Sequence, residues 1–140
     1  QICNFMFPGD LVGLQAAFGE IAPHSVEALR TSRLCVFDYQ RYFDIVTSQP
    51  RLAYDITWLA AKEETALEEH LVALGRRSAR ERVAYLAVWL LQRARGTCLV
   101  DDHNRLEVTI TQTQIADMLG LSLVHTNRTI KGLERSGEVL

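Results

Sequence analysis

The chain has 140 residues, 48% of them hydrophobic and 23% charged, and a formal net charge of −2. That is the composition of an ordinary soluble globular chain, long enough for one medium domain or two small ones. A net charge so close to zero excludes a surface that is basic all over, so any nucleic-acid footprint has to be local.

Residues 1–40 read as strands and turns. "ICNFMF" is a short apolar run closed by the turn signal "PGD" at Pro8 to Asp10; "LVGL" follows, then a loop around Pro23. "SVEALRTSRLCVFD" alternates in part, with Val26, Leu34, Val36 and Phe37 suiting sheet, although "VEAL" also tolerates helix. From Gln40 the pattern turns helical. Tyr42, Phe43 and Val46 fit a short helix, and Pro50 breaks it and opens another. Leu52, Ile56, Leu59, Glu63, Ala66, His70 and Ala73 then recur in steps of four and three, with Leu67, Leu71 and Leu74 beside them. This approaches a heptad seam, and a long helix with such a seam is expected to dimerise. Gly75 is expected to end it.

Ser78 opens the next helix, "SARERVAYLAVWLLQRAR", with Val83, Leu86, Ala87, Leu90 and Leu91 inward and the arginines outward. Six arginines lie between Arg76 and Arg95 (76, 77, 80, 82, 93 and 95) against the single acid Glu81, a local basic footprint or a solvated helix face. "GTCLVDDHNRLEVTI" reads as a hairpin turning at "DDHN". In "TITQTQIADMLGLSLVHTNRTIKGLERSGEVL", Gly120 argues against one long helix, since glycine costs about 1 kcal/mol inside one. Two helices fit better. Thr111 is placed to cap the first in a capping box with Gln114, and Ile115, Met118 and Leu119 share its inner face. Gly120 sits where a left-handed residue ends a helix. Ser122 is placed to cap the second, which turns Thr126, Ile130 and Leu133 inward and ends at Gly137. Helix, glycine turn, helix is the pattern of a helix-turn-helix, whose second helix enters the major groove of DNA. After a hairpin it makes a winged-helix arrangement, in which residues past Leu140 would form the wing.

On that second helix Leu123, Val124, Asn127, Arg128 and Lys131 share the outward face. Arginine matches guanine O6 and N7 in two bonds, so Arg128 is the first candidate for reading a base. Asn127 stands beside it for a base edge, and His125 for a phosphate or a base. Val124 suits a thymine methyl. Ser122, Thr111 and Thr113 are placed to hold phosphates, although Ser122 and Thr111 serve equally as caps.

Cys3, Cys35 and Cys98 are scattered with no CxxC, which suits a reducing compartment such as the cytoplasm. No apolar run approaches the roughly 20 residues of a membrane span, and no signal-peptide pattern is present. His24, His70, His103 and His125 have no metal-like spacing. No GxSxG, P-loop, HExxH or dinucleotide motif appears, so the chain is not expected to be an enzyme. A start at Gln1 and a stop at Leu140 are expected to bound a fragment.

The order from "PGDLVGL" through the long helix to "GLSLVHTNRTIKGLERSG" resembles the Crp/Fnr superfamily of bacterial transcription regulators, in its Fnr/FixK-like branch. The resemblance covers nearly the whole chain and is most specific in "LGLSLVHTNRTI", supported by "SVEAL" and "LGRRSARERVAYL". It implies an α+β fold. Residues 1–40 would be the second half of a β-roll sensor (a cyclic-nucleotide-binding-like jelly roll). Residues 41–75 would hold a short helix and the long dimerisation helix, and 76–140 a winged helix-turn-helix. It implies a homodimer on palindromic double-stranded DNA, with RNA polymerase as a further partner, no membrane, and a seam at Leu52, Ile56, Leu59, Glu63, Ala66, Leu67, His70 and Leu74. The family's reading arginine matches Arg128. Where many members have glutamate this chain has Val124, so the contact to cytosine does not carry over. The family's ribose-binding glycine–glutamate is Gly13-Leu14 here, and its phosphate-binding arginine–serine is His24-Ser25, which speaks against cyclic AMP. Cys35 matches the context of one iron–sulfur ligand, but a buried free cysteine in a strand is the plainer reading. A redox, oxygen or nitric-oxide signal, a haem, or no ligand stay open. An interaction module that uses the winged helix for protein contact is the alternative.

Overall fold

The computed structural model describes residues 1–19, 21–22 and 24–138, and these contain five α-helices: α1 (Tyr42–Ser48), α2 (Pro50–Arg76), α3 (Ala79–Ala94), α4 (Gln112–Leu119) and α5 (Leu123–Arg135). The loop expected around Pro23 centres on a residue outside that set. Pro50 heads α2, where the missing N–H is one the helix start leaves unpaired in any case. At 27 residues α2 is about 40 Å long. It runs through Gly75 to Arg76, one residue past the expected stop. Ser78 then starts α3 with a capping box: its hydroxyl accepts from Glu81 N, and its own N–H donates to the Glu81 carboxylate at 2.7 Å. The Ser78 hydroxyl, then its amide, hold the Glu81 carboxyl below the usual carboxylate range.

The contacts divide the chain into two units, Gln1–Gly9 with Leu67–Leu140, and Asp10–Ala66. In the first, α3, α4 and α5 enclose a core of Val83, Leu86, Trp89, Leu90, Met118, Leu119 and Leu133, joined by Phe5 from the N-terminal segment. The expected inner face of α3 holds at Val83, Leu86 and Leu90, while Ala87 and Leu91 are half-buried. Trp89, not expected inward, is buried between Phe7 and His70, with ring centroids 6.3 and 4.8 Å away. "ICNFMF" forms no strand. Ile2, Phe5 and Phe7 pack on the helical core instead, and Ile2 N–H donates to Asp117 at 2.6 Å. The expected hairpin shrinks to one antiparallel bridge, Val100 to Leu106, above a turn in which Asp101 Oδ1 accepts from the amides of His103 and Arg105.

The second unit overturns the expected β-roll. Among the described residues no sheet exists, so the α+β class with a partial jelly roll gives way to a helical fold. Between Asp10 and Arg41 the regular pieces are two 3₁₀ turns, Leu14–Phe18, bracketed by left-handed Gly13 and Gly19, and Tyr39–Arg41. Val26, Leu34, Val36 and Phe37 are exposed. The reason is that a strand is not self-sufficient. Its N–H and C=O groups need a neighbouring strand, and its apolar face needs a covering layer. The described residues supply neither, so alternation alone does not produce sheet. Phe18 meets Tyr42 edge to face at 5.7 Å, tying the first 3₁₀ turn to α1.

In α5, Thr126 is fully buried, and its hydroxyl has no hydrogen-bond partner among the described residues. An unsatisfied buried hydroxyl costs about 1–3 kcal/mol, and valine has the same shape and a similar helix propensity. Thr126→Val is therefore expected to raise the thermal midpoint by a few degrees. Circular dichroism at 222 nm checks it, and a lowered midpoint would contradict the account.

Candidate nucleic-acid interface

The two-helix element is built as its capping residues require. Thr111 Oγ1 accepts from Gln114 N at 3.2 Å, and Gln114 Oε1 accepts from Thr111 N at 2.8 Å, which closes the capping box of α4. Gly120 ends α4 at φ +62°, its own N–H and that of Leu121 both returning to Ala116 O. This 6→1 bond fixes the chain reversal, and the half-buried Leu121 packs on the core. Ser122 Oγ then accepts from His125 N at 3.2 Å and starts α5. The hydroxyls of Thr111 and Ser122 thus act as caps, and Thr113 is exposed on the first turn of α4.

α5 shows the two faces expected of it. Thr126 and Leu133 are fully buried and Ile130 is half-buried. On the other side Leu123 and Val124 are 49% and 79% exposed, unusually open for aliphatic residues, and Arg128 and Lys131 are exposed one and two turns on. No ion pair engages Arg128 or Lys131 among the described residues. His125 and Asn127 are half-buried on either flank. Asn127 Nδ2 donates to Gln112 Oε1 at 2.7 Å, joining the reading face of α5 to the head of α4. Gln112 escaped the sequence reading. Its signal is "QTQ", a long amide at the first helical position that belongs to neither the cap nor the apolar pattern.

The arginine cluster is mostly used inside the unit. Arg82 Nε donates to Arg77 O at 2.9 Å and its Nη1 to Leu119 O at 3.2 Å, so one side chain satisfies carbonyls at the ends of α2 and α4. Arg80 bonds Ser136 Oγ at 3.0 Å and pairs with the Glu138 carboxylate just beyond α5. The Ser136 hydroxyl, then Arg80, hold that carboxyl below its usual range. Arg77 lies over the Tyr85 ring at 4.4 Å, Arg93 over Trp89 at 5.6 Å, and Arg95 bonds Asn104. Of the cluster only Arg76, at the exposed end of α2, has no such contact among the described residues, and on α5 Arg128 and Lys131 are exposed as well.

Of the seam residues, Ala66 and His70 are buried. Ile56, Leu59, Glu63 and Leu74 are half-buried, and Leu52 and Leu67 are exposed. His70 turns to α3, its Nδ1 2.8 Å from the Tyr85 hydroxyl. Cys35 is an exposed free thiol outside any strand, not the buried strand cysteine expected. Among the described residues no three His, Cys, Asp or Glu side chains group to hold a metal. No helix among the described residues is long and apolar enough to cross a membrane.

Two short helices, a left-handed glycine between them and an open second helix define a helix-turn-helix protein. Residues 81–139 match the Crp-like helix-turn-helix domain. Over 99% of its length the chain is 32% identical to the nitrogen fixation regulation protein FixK of Bradyrhizobium diazoefficiens, covering 57% of that protein. It is 30% identical over 98% of its length to the anaerobic regulatory protein of Pasteurella multocida, covering 50% of it. It is 27% identical over 98% of its length to the transcriptional activator protein anr of Pseudomonas aeruginosa, covering 55% of it. Its C-terminal part is thus a Crp-like helix-turn-helix domain, and nearly its whole length is similar to regulators of the FixK and Anr type. The chain spans about half the length of the curated relatives it matches.

Arg82 is expected to be structural. Arg82→Met removes charge-assisted bonds to two backbone carbonyls and should lower stability by about 1–3 kcal/mol, whereas Arg76→Met on the exposed end of α2 should change it by less than about 0.5 kcal/mol. Urea unfolding of both variants checks the contrast, and equal effects would refute it.

Proposed function

We propose that the chain is the DNA-reading and dimer-forming part of a sequence-specific transcription regulator that binds a palindromic duplex as a homodimer. One observation carries this reading: α5 presents Val124, Arg128 and Lys131 outward, exposed and without ion pairs, on a helix whose opposite face is locked into the core. A helix in that setting fits the major groove. There Arg128 takes guanine O6 and N7, Asn127 and His125 flank it, and Leu123 and Val124 meet thymine methyls. Lys131 takes a phosphate, as do the exposed α4 and α5 starts at Thr111, Thr113 and Ser122.

The apolar stripe of α2 joins the two copies, which sets the half-sites about 34–36 Å apart. The regulator works in the cytoplasm and contacts RNA polymerase. Its signal is redox, oxygen or nitric oxide rather than cyclic AMP, in keeping with the word "anaerobic" in the name of the Pasteurella relative. Leu14 in the ribose position and the exposed His24 in the phosphate position support the same choice.

The test is selection of bound duplexes from a randomised pool, then fluorescence anisotropy on selected and scrambled duplexes at several salt concentrations. Arg128→Ala should remove about 1–3 kcal/mol of preference at one base pair of each half-site. Lys131→Ala should weaken binding to all duplexes alike and reduce the slope of log affinity against log salt by about 1. Equal binding to both duplexes with no salt dependence would sink the DNA reading and favour a protein-contact module.

A further inference from the structure

We propose that Gln112 is a positioning residue that sets Asn127 to read adenine, an inference that rests on the DNA reading above. Asparagine's amide has two N–H donors and one carbonyl acceptor. In the structure one of those donors is held by Gln112 Oε1 at 2.7 Å, across the turn from α4 to α5. One N–H and Oδ1 remain. In the major groove that pair complements adenine, whose N7 accepts and whose N6 amino group donates. It does not complement guanine, whose N7 and O6 both accept, nor cytosine, which offers its N4 amino donor, nor thymine, which offers O4. An unheld asparagine turns about its last torsion and exchanges donor for acceptor. The bond to Gln112 Oε1 favours the orientation in which Nδ2 faces α4 and Oδ1 is left for the base.

The surroundings agree. Gln112 is exposed at the first position of α4, beside the capping box that fixes the helix start, so its backbone does not wander. Asn127 is half-buried next to the exposed Arg128. With Oε1 engaged, the Gln112 amide keeps two N–H donors facing out at a helix N-terminus, where they suit a phosphate oxygen. The arrangement thus joins a backbone anchor on α4 to a base reader on α5. It predicts adenine at the base step next to the guanine taken by Arg128.

The experiment is selection from a randomised duplex pool, followed by competition anisotropy with single-base substitutions, on the intact chain. The wild type should prefer adenine at one position by roughly 5- to 150-fold. Gln112→Leu and Asn127→Ala should each bring that preference to within about 2-fold while leaving the guanine preference of Arg128 intact. The double variant should match Asn127→Ala alone, because the two residues act through one contact. Gln112→Glu accepts a hydrogen bond but cannot donate one. It should keep the adenine preference while lowering affinity for every duplex through repulsion of phosphate. Circular dichroism confirms that each variant folds. A selected site with guanine but no adenine beside it would overturn the proposal, as would a Gln112→Leu variant with undiminished adenine preference, or loss of that preference in Gln112→Glu. If the wild type selects no sequence at all, the DNA reading fails and this inference goes with it.

Discussion

The backbone of Gly120 holds φ +62° and ψ +36°, a region that side-chain-bearing residues enter only at a cost. That one left-handed step allows α4 to stop, Leu121 to turn onto the core, and Ser122 to start a new helix two residues later. Every feature of the reading face depends on it. The turn fixes the angle between α4 and α5, and that angle brings Gln112 within 2.7 Å of Asn127, fifteen positions further along the chain. A longer or looser connection would still leave two amphipathic helices. It would not leave the head of one in register with the open face of the other.

The core and the arginines secure this geometry from the other side. Leu86, Leu119 and Leu133, one from each of α3, α4 and α5, are buried together, so the three helices share a single apolar centre. Arg82 adds a polar tie, since the carbonyl of Leu119 at the end of α4 finds its donor on α3. Arg80 does the same beyond α5 through Ser136 and Glu138. At position 132, between these ties, an added Cβ would meet nothing nearer than Arg80 Nη1 at 3.7 Å, an ordinary contact. A basic run that looks in sequence like a phosphate footprint is thus largely internal bracing.

How legible the molecule was in its sequence follows from the range of the interactions concerned. The helix start at Ser78, the capping box at Thr111, the glycine stop and the inner face of α5 are set within a few residues, and each could be read directly. The core position of Trp89 could not, because the ring is covered by Phe7 and His70 from distant parts of the chain. The sheet expected before Gln40 failed for a related reason. Alternating Val, Leu and Phe state a preference for strand, but only a second strand satisfies it. At the candidate interface the outward residues of α5 were legible from periodicity. The Gln112–Asn127 bond was not, since no local pattern announces a contact across a turn. Cys35 lies exposed and outside any strand, not buried in one as expected, because the sheet that would have covered it does not form among the described residues.

The joint between α2 and α3 shows how the long helix is coupled to the reading helices. His70, near the end of α2, meets the Tyr85 hydroxyl at 2.8 Å, Arg77 stacks on the same ring, and Arg82 returns to the Arg77 carbonyl. Burial, helped by the Glu69 carboxylate and opposed by Arg77, pushes the Tyr85 phenol up to about 12. A raised phenol pKa means that the neutral form is the one the fold favours. Its contribution is complete below the ordinary value near 10 and is lost only as pH climbs through the raised one. The phenol therefore keeps its proton at neutral pH, as a group that lies 2.8 Å from His70 Nδ1. α3 in turn shares its buried face with both α4 and α5, so the last turns of α2, the Tyr85 ring and the two reading helices are packed within one unit.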